Sequence, residues 1–244
     1  MGQPQDRRKQ YMADVYSAFW QRQVLVYGFT DYHQGMIELV QSIRPRLAGH
    51  RLLECAIGTG WPFAVEFARR GWSVYGVDIA PTLVTKCKEN ERETGVELRC
   101  VEGDVEHLPY REGAFDLTYC FQSTWYFSDF ERAVDEMILV TKAGGYVVFD
   151  VMNLLNPMIL CSYVRLIFRR RANLDFWADV VRRRPLSKWI IHETPTSPWR
   201  VSNILRSRNV RCIITTSQTR NIACPVPSSW FDPRLVYICR KTEK

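Results

Sequence analysis

Apolar and polar positions along the first 152 residues follow a regular alternation of short apolar runs and amphipathic stretches. Short apolar runs predict buried strands. They begin at Leu52 and recur at 74–78, 96–101, 114–120 and 146–151. The stretches 31–47, 64–71, 81–93 and 129–140 carry apolar residues at helical spacing. Strands that alternate with helices predict a doubly wound α/β sheet with parallel first strands and right-handed crossovers.

The first apolar run passes through Glu54 and Ala56 into the turn Gly58-Thr59-Gly60, and a helix follows. Glycine permits backbone angles that are closed to other residues and lets main-chain N–H groups approach a ligand. The second predicted strand ends at Asp78, 18 residues after Gly60. Doubly wound folds place a carboxylate there that accepts ribose hydroxyls. The spacing therefore predicts a ligand of the adenosine type.

A dinucleotide-binding dehydrogenase competes for the same strand, turn and helix. That class requires a third glycine, in the pattern Gly-x-Gly-x-x-Gly, so that pyrophosphate can bind at the helix start. This chain has Phe63 at the third position, and its third predicted strand leads into Gly103-Asp104, for which a dehydrogenase has no obvious use. The pattern favours a different adenosine ligand.

A series of short motifs runs through the same part of the chain. It comprises Glu54-x-Ala56-x-Gly58-x-Gly60, Val77-Asp78, Gly103-Asp104-Val105, Phe115-Asp116-Leu117 and Lys142-Ala143-Gly144-Gly145. In order and spacing the series resembles the class I S-adenosyl-L-methionine (SAM)-dependent methyltransferases. The nearest branch is the small-molecule one, typified by ubiquinone and menaquinone biosynthesis enzymes. The resemblance covers roughly residues 35–152 and departs at Ala56, where many members have glycine.

The resemblance implies a Rossmann-like, doubly wound, mostly parallel seven-stranded sheet. Its closing strands, 210–216 and 235–239, are expected to form an antiparallel edge pair after a helical insertion. The implied organisation is an N-terminal helical lid (1–30), a SAM-binding core (31–151), an inserted substrate or cap region (152–208) and closing strands (209–244). SAM is the implied cofactor, and S-adenosyl-L-homocysteine is the product.

The resemblance also implies cofactor contacts. Asp78 is expected on the ribose and Asp104 on the adenine amine, with the Val105 backbone on a ring nitrogen and Ile79 against the adenine face. The alternative for Asp104 is a turn cap. The remaining expected contacts, from the turn, the residues after strand four and the lid, are Glu54, Ala56, Gly58, Gly60, Phe121, Gln122, Tyr16 and Tyr27.

Trp125 and Tyr126 follow the fourth strand and are expected at the acceptor, because ligands of such sheets lie outside the strand ends. Core packing is the alternative for both and for the lid tyrosines. His192, beside Glu193, is the candidate general base because imidazole titrates near neutrality. A structural histidine is the alternative. The sequence shows no metal-ligand spacing.

Charge is distributed unevenly along the chain. Residues 1–155 carry 16 basic and 21 acidic side chains, whereas 156–244 carry 17 and 5, within a net charge of +7. The second part is expected to meet an anionic partner: an acidic acceptor, a membrane surface or, less favoured, nucleic acid. Arg182, Arg183 and Arg184 are the expected contacts. A solvated basic face is the alternative.

The stretch after Asn156-Pro157 predicts an apolar helix, 158–168, followed by three arginines. Its nearly continuous apolar surface favours burial over a position at a membrane interface. The uncharged run 151–164 is too short to cross a bilayer. With a polar N-terminus and eight scattered cysteines, this predicts a cytoplasmic protein with reduced thiols, peripheral to a membrane at most.

Methyl transfer to an O, N or C atom of a small-molecule acceptor, anionic or lipid-linked, is the function that these residues favour. An RNA or protein methyltransferase is second. RNA enzymes of this fold often carry an Asn/Asp-Pro-Pro-Tyr/Phe motif after strand four, where this chain has Cys120-Phe121-Gln122-Ser123. A SAM-binding protein without transfer chemistry is third.

Overall fold

Seven strands in one sheet form the centre of the computed structural model, which describes residues 9–10, 13–14, 29–171, 173, 177–178, 181–182, 194–216 and 232–242. The strands are β1 Arg51–Cys55, β2 Ser73–Asp78, β3 Leu98–Glu102, β4 Phe115–Cys120, β5 Thr141–Met152, β6 Val210–Thr216 and β7 Arg234–Lys241. Their order is β3-β2-β1-β4-β5-β7-β6. β1 to β5 are parallel, and β7 pairs antiparallel with β5 and β6. The predicted fold class is confirmed.

The helices begin and end at signals that the sequence carries. Their bounds are α1 Asp31–Ile43, α2 Phe63–Arg69, α3 Pro81–Thr94, α4 Phe130–Val140, α5 Pro157–Arg171 and α6 Pro198–Arg206. α3 ends at Gly95, which has a φ of 68°. Asp129 and Ser197 cap α4 and α6 by accepting N–H bonds from the third residue of each helix.

β5 is longer than the strand predicted from the apolar pattern, because it includes Gly144-Gly145. Its pairing with β4 shifts register between Phe115 and Leu117, so the glycine pair forms an irregularity inside the strand. A Cβ added to Gly145 would lie 2.6 Å from the carbonyl oxygen of Asp116. Glycine therefore permits the close approach of these two strands.

Helices cover both faces of the sheet. On one face, α1, α2 and α3 contribute Met36, Phe67 and Val84 to the core. On the other, α4 and α6 contribute Met137 and Leu205. This packing holds the carboxyl ends of β1, β2, β4 and β5 in one row, which is the ligand edge in sheets of this type.

The expected burial of the helix after Asn156-Pro157 is wrong. None of the side chains at 157–169 in α5 is buried, and Met158 and Phe168 are 77% and 68% exposed. Other helices already cover both faces of the sheet. In the described part of the chain, the apolar side chains of α5 therefore do not pack into the core of the sheet. None of the helices in the described ranges is long and apolar enough to cross a membrane.

The expectation of reduced thiols holds for only part of the described chain. Cys212 and Cys239 lie directly opposite each other on β6 and β7 and form a disulfide. Spacing along the sequence does not reveal this pairing, because it depends on strand register. The thiols of Cys55, Cys87, Cys100 and Cys120 are free and buried, and that of Cys161 is free and exposed.

Candidate active site

The Gly-x-Gly turn lies at the carboxyl end of β1 and is held against β2. Ile57 N–H donates to the Val77 carbonyl (3.0 Å), and Gly60 N–H donates to the Ile57 carbonyl (3.0 Å). Ala56, Gly58 and Gly60 have φ of 59°, 58° and 75°. Ala56 thus adopts the glycine-like conformation, so the departure from the family pattern leaves the turn unchanged. Within the described part of the chain, a Cβ added at Gly58 would meet no atom within 4 Å, so one side of the turn is open there.

Asp78 is buried at the end of β2, with its carboxylate beneath this turn. Oδ2 accepts the Gly58 N–H (2.8 Å), and Oδ1 accepts the Ala80 N–H (2.9 Å). Burial raises the pKa of Asp78, and the backbone donors oppose that rise. Each carboxylate oxygen offers a second lone pair, so Asp78 can hold the turn and still accept ribose hydroxyls. These residues fit the adenosine part of SAM.

Glu54 ends in a buried carboxyl whose Oε2 has no hydrogen-bond partner among the described residues. Burial raises the pKa of Glu54 well above its ordinary value. A buried polar atom without a partner costs about 1–3 kcal/mol, and a donor from a bound ligand would remove that cost. The expected place of Glu54 beside the cofactor is consistent with this orphaned oxygen. Ile79, which follows Asp78, is half-buried.

Asp104 lies in the turn after β3, where both of its oxygens already have partners. Oδ1 accepts the Glu106 N–H (2.9 Å), and Oδ2 lies 2.5 Å from Lys9 Nζ. Burial opposes ionisation of Asp104, but the hydrogen bonds from Lys9 and the Glu106 N–H, together with the charge of Lys9, outweigh it and lower the pKa. The turn-cap geometry is therefore present, and the adenine contact stays a prediction. Val105 is buried in the same turn.

Phe121 and Gln122 connect the cofactor turn with β5. The Phe121 ring lies 5.2 Å from that of Phe63, the first residue of α2. Gln122 has a φ of 59° and donates its N–H to Asp150 Oδ1 (2.8 Å). Within the described ranges, Ala56 and Gln122 are the non-glycine residues with positive φ, a conformation that costs roughly 1–2 kcal/mol. Backbone strain concentrates at functional sites, and both residues lie on the ligand edge.

Sequence reasoning missed a polar cluster around Asp150, which is fully buried near the carboxyl end of β5. Its members come from four parts of the chain and are called here the Asp150 cluster: Tyr32, Gln122, Thr124, Asp150 and Arg234. Tyr32 Oη donates to Asp150 Oδ2 (2.8 Å), and Thr124 Oγ1 donates to the Asp150 carbonyl (2.5 Å). The available signal was an acid within the apolar run 146–151, because buried charges require partners.

Aromatic residues border this cluster. Trp125 is buried, and its ring centre lies 5.7 Å from that of Tyr126. Among the described residues, its Nε1 has no hydrogen-bond partner. His33 is also buried, and its Nδ1 accepts the Thr30 N–H (3.1 Å). Burial lowers the pKa of His33. Trp125 is packed and also lies at the ligand edge. Core packing and the predicted contact with the acceptor are therefore compatible for this residue.

A cleft opens between the residues that follow β4 and the segment 194–200. Trp125, Met152, Thr196 and Arg200 line it. The Thr194 N–H donates to the Trp125 carbonyl (2.9 Å), which ties this end of the inserted region to the ligand edge. The cleft therefore offers a place for a ligand beside the residues that follow β4.

Several predicted site residues cannot be placed in this arrangement. Tyr16, Tyr27, Arg183, Arg184 and His192 lie outside the described residues, and their roles stay predictions. Arg182 is described and exposed. Among the residues that the structure covers, no group of three or more His, Cys, Asp or Glu side chains could hold a metal ion.

The sheet order, the open Gly-x-Gly turn and the buried acids near the carboxyl ends of β1 and β2 define a Rossmann-like nucleotide-binding domain. Residues 53–149 match the family described as a methyltransferase domain. These residues are a methyltransferase domain of the class I, SAM-dependent type. The predicted family resemblance and the predicted cofactor are confirmed.

Curated relatives match part of the chain. A demethylmenaquinone methyltransferase from Thermus thermophilus is 34% identical over 103 residues, which is 41% of this chain and 46% of that protein. An uncharacterized methyltransferase, YcgJ, from Bacillus subtilis is 31% identical over 155 residues, which is 58% and 61% of the two chains. The chain thus spans less than two thirds of the length of these relatives.

Solved structures show the same fold over most of the chain. The crystal structure of YcgJ has a TM-score of 0.62 at 18% identity and covers 87% of this chain and 100% of its own. Magnesium protoporphyrin IX methyltransferase from Synechocystis, with bound SAM, has a TM-score of 0.61 at 12% identity, with 96% and 97% coverage. At these identities the likeness concerns the fold alone.

Proposed function

We propose that this protein is a SAM-dependent methyltransferase that acts on an O, N or C atom of a small-molecule acceptor. One observation carries the proposal: Phe121 and Gln122 connect the open cofactor turn to the Asp150 cluster and the adjoining cleft. A site with these two neighbouring parts suits a cofactor and a second, compact substrate. The name of the menaquinone relative supports an acceptor of small-molecule type.

The residues of this chain contribute mainly by positioning. When bound, SAM supplies a methyl group on a sulfonium centre that is already activated for in-line displacement. Asp78 and the open face at Gly58 hold the adenosine end, while the buried rings of Phe121 and Trp125 keep water from the other end. Orientation of two reactants in this way contributes about 7–11 kcal/mol. If the acceptor carries a proton, His192 is the proposed base.

Titration calorimetry with SAM tests the cofactor site. Asp78→Asn is expected to lower affinity by about ten- to a hundredfold, because hydrogen bonds to a charged group contribute roughly 1.5–3 kcal/mol. Asn keeps the shape of the side chain, so circular dichroism should show a folded variant. Glu112→Ala, a change at an exposed acid, is the control. Unchanged affinity in a folded Asp78→Asn variant contradicts the ribose assignment.

A second proposal concerns location: α5 rests on an anionic membrane surface. The observation that favours it is a helix with exposed Met158, Val164 and Phe168 beside exposed Arg165 and Arg169. Such a helix can place apolar side chains among acyl chains and arginines on lipid headgroups. Arg182, Arg183 and Arg184 extend the same charge along the sequence.

Sedimentation with phosphatidylserine vesicles tests this location. The parent protein is expected to bind, and to bind less as salt rises, because the Debye length is about 8 Å at physiological salt. Phe168→Ser and the combined change of Arg182, Arg183 and Arg184 to Gln are each expected to release it. Ile213→Ser, at an exposed apolar residue of β6, is the control. A steep salt slope on RNA, with no vesicle binding, would favour the nucleic-acid alternative instead.

A further inference from the structure

The antiparallel strand β7 brings a cation to the ligand edge of an otherwise parallel sheet. β7 starts at Arg234, which pairs with Met152 at the end of β5. Because the two strands run in opposite directions, the first residue of β7 lies where the parallel strands end. The side chain of Arg234 is 31% exposed there.

Two aromatic rings hold the Arg234 guanidinium in place. Its central carbon lies 5.0 Å from the ring centre of Tyr32 and 5.1 Å from that of Trp125. A side-chain hydrogen bond also joins Arg234 to Tyr32. A guanidinium has five N–H donors, so other donors are left for a ligand. Tyr32 is anchored in turn by its hydrogen bond to Asp150. The cation is therefore positioned before any ligand binds.

The ion pair between Arg234 and its nearest carboxylate, Asp150, is not a hydrogen-bonded one. Its closest approach to Asp150 is 3.7 Å, which is beyond hydrogen-bonding distance, and Asp150 already accepts bonds from Tyr32 and Gln122. Arg208 shows how an arginine with a structural role is satisfied in the same protein. It donates to Asp135 at 2.5 and 2.9 Å and to Glu131 at 2.9 Å. Among the described residues, Arg234 has no carboxylate within such distances.

The place of Arg234 relative to the cofactor also suits a substrate contact. Gln122 is expected beside the methionine end of SAM. Its N–H donates to the same Asp150 carboxylate that lies near Arg234. Tyr32 packs against Phe63, the first residue of α2, with ring centres 6.3 Å apart. Trp125, the second aromatic residue in contact with the guanidinium, lines the cleft.

We propose that Arg234 binds a carboxylate group of the methyl acceptor. A guanidinium fork matches a carboxylate with two parallel N–H···O bonds, and such charge-assisted pairs are among the stronger hydrogen bonds. This inference rests on the proposed function, because it assigns the acceptor to the cleft of a methyltransferase. It assigns recognition of the acidic group to Arg234 in the Asp150 cluster. From charge alone, the arginines at 182–184 were expected to contact an anionic partner.

Calorimetry on the full chain, saturated with S-adenosyl-L-homocysteine, tests the assignment with benzoate as the probe and benzamide as its neutral counterpart. The parent is expected to bind benzoate and not benzamide. Arg234→Gln is expected to weaken benzoate by about ten- to a hundredfold, from the roughly 1.5–3 kcal/mol of hydrogen bonds to charged groups. Arg234→Lys should recover only part of the loss, because it keeps the charge without the fork. Arg240→Gln, an exposed arginine of the same strand, is the control.

The outcomes separate this inference from the proposed function. Failure of the parent to bind SAM would contradict the proposed function itself. SAM binding with no benzoate binding, or with equal benzoate affinity in parent and Arg234→Gln, would overturn the Arg234 site alone. Arg234-dependent binding of inorganic phosphate in place of benzoate would overturn the carboxylate assignment. If Arg234→Gln does not fold, the comparison of Arg234→Lys with the parent decides by the same criteria.

Discussion

The proposed cofactor half and the proposed acceptor half of the ligand edge are built by different means. In the cofactor half, Asp78 binds backbone N–H groups of Gly58 and Ala80, which lie within 20 residues of it. In the acceptor half, Asp150 is reached from 118 residues away by Tyr32, and Arg234 arrives on an antiparallel strand. The first half depends on backbone geometry, whereas the second depends on side chains from separate elements. The two halves should therefore fail in different ways when single residues change.

The largest effect on stability is expected in the acceptor half, from Asp150→Ala. The change removes the shared acceptor of Tyr32 Oη and Gln122 N–H and leaves Arg234 without its nearby carboxylate. Loss of one partner from a buried charged network costs roughly 3–5 kcal/mol. Urea unfolding measures the difference in free energy. Asp150→Asn, which keeps an acceptor oxygen, should cost less, and a loss below about 1 kcal/mol for Asp150→Ala would show that the cluster is not a structural unit.

Two glycine changes in the cofactor turn should separate stability from binding. A Cβ on Gly60 would lie 3.0 Å from Cys87 Sγ and 3.2 Å from Leu98 Cδ1, so Gly60→Ala adds crowding to a left-handed backbone. Its expected loss is about 2–3 kcal/mol. Gly58→Ala meets open space and should cost about 1 kcal/mol, yet weaken SAM because its Cβ enters the ligand side. Thermal unfolding and calorimetry measure both quantities. Normal SAM affinity in Gly58→Ala would place the ligand elsewhere.

Glu54→Gln should reveal a cost of keeping a buried acid at the cofactor turn. Burial raises the pKa of Glu54 in the folded chain, so its stabilising effect is complete below the unfolded value, about 4.3, and is lost as pH rises through the folded value. The variant should therefore gain free energy of unfolding relative to the parent as pH increases. Urea titrations from pH 4 upward measure the difference. A difference that does not change with pH would contradict the direction of the pKa shift.

The smallest effects are expected at the adenine end. Lys9→Gln breaks the ion pairs of a partly exposed lysine with Asp104 and with buried Glu106, which keeps the N–H donors of Ser128 and Asp129, and should cost about 1 kcal/mol. Asp104→Ala should lower SAM affinity if this residue takes the adenine amine, while leaving competition by methionine unchanged. Loss of stability with normal SAM affinity would instead assign Asp104 to the turn cap alone. The Lys9→Gln variant serves as the control for the shared ion pair.

The comparison also shows which features could be predicted from the sequence. The turn at 58–60 and the acid at Asp78 were predicted in their observed places, because strand, turn and carboxylate are close along the chain. The antiparallel closing pair followed from the family resemblance and is confirmed. The predicted burial of α5 was wrong. The apolar sequence of a helix does not show whether the rest of the fold leaves a core surface uncovered for that helix to pack against.

The sequence by itself determined the alternation of strands and helices, the cofactor turn and the class of domain, because these depend on local periodicity and on glycine at two backbone positions. Only the tertiary structure decided that Tyr32, Gln122, Asp150 and Arg234 meet at one point. The physical reason is strand direction and register: β7 runs against β5, so residues 82 positions apart, Met152 and Arg234, become neighbours. No local pattern encodes that pairing, which is set by how the completed sheet buries its two faces.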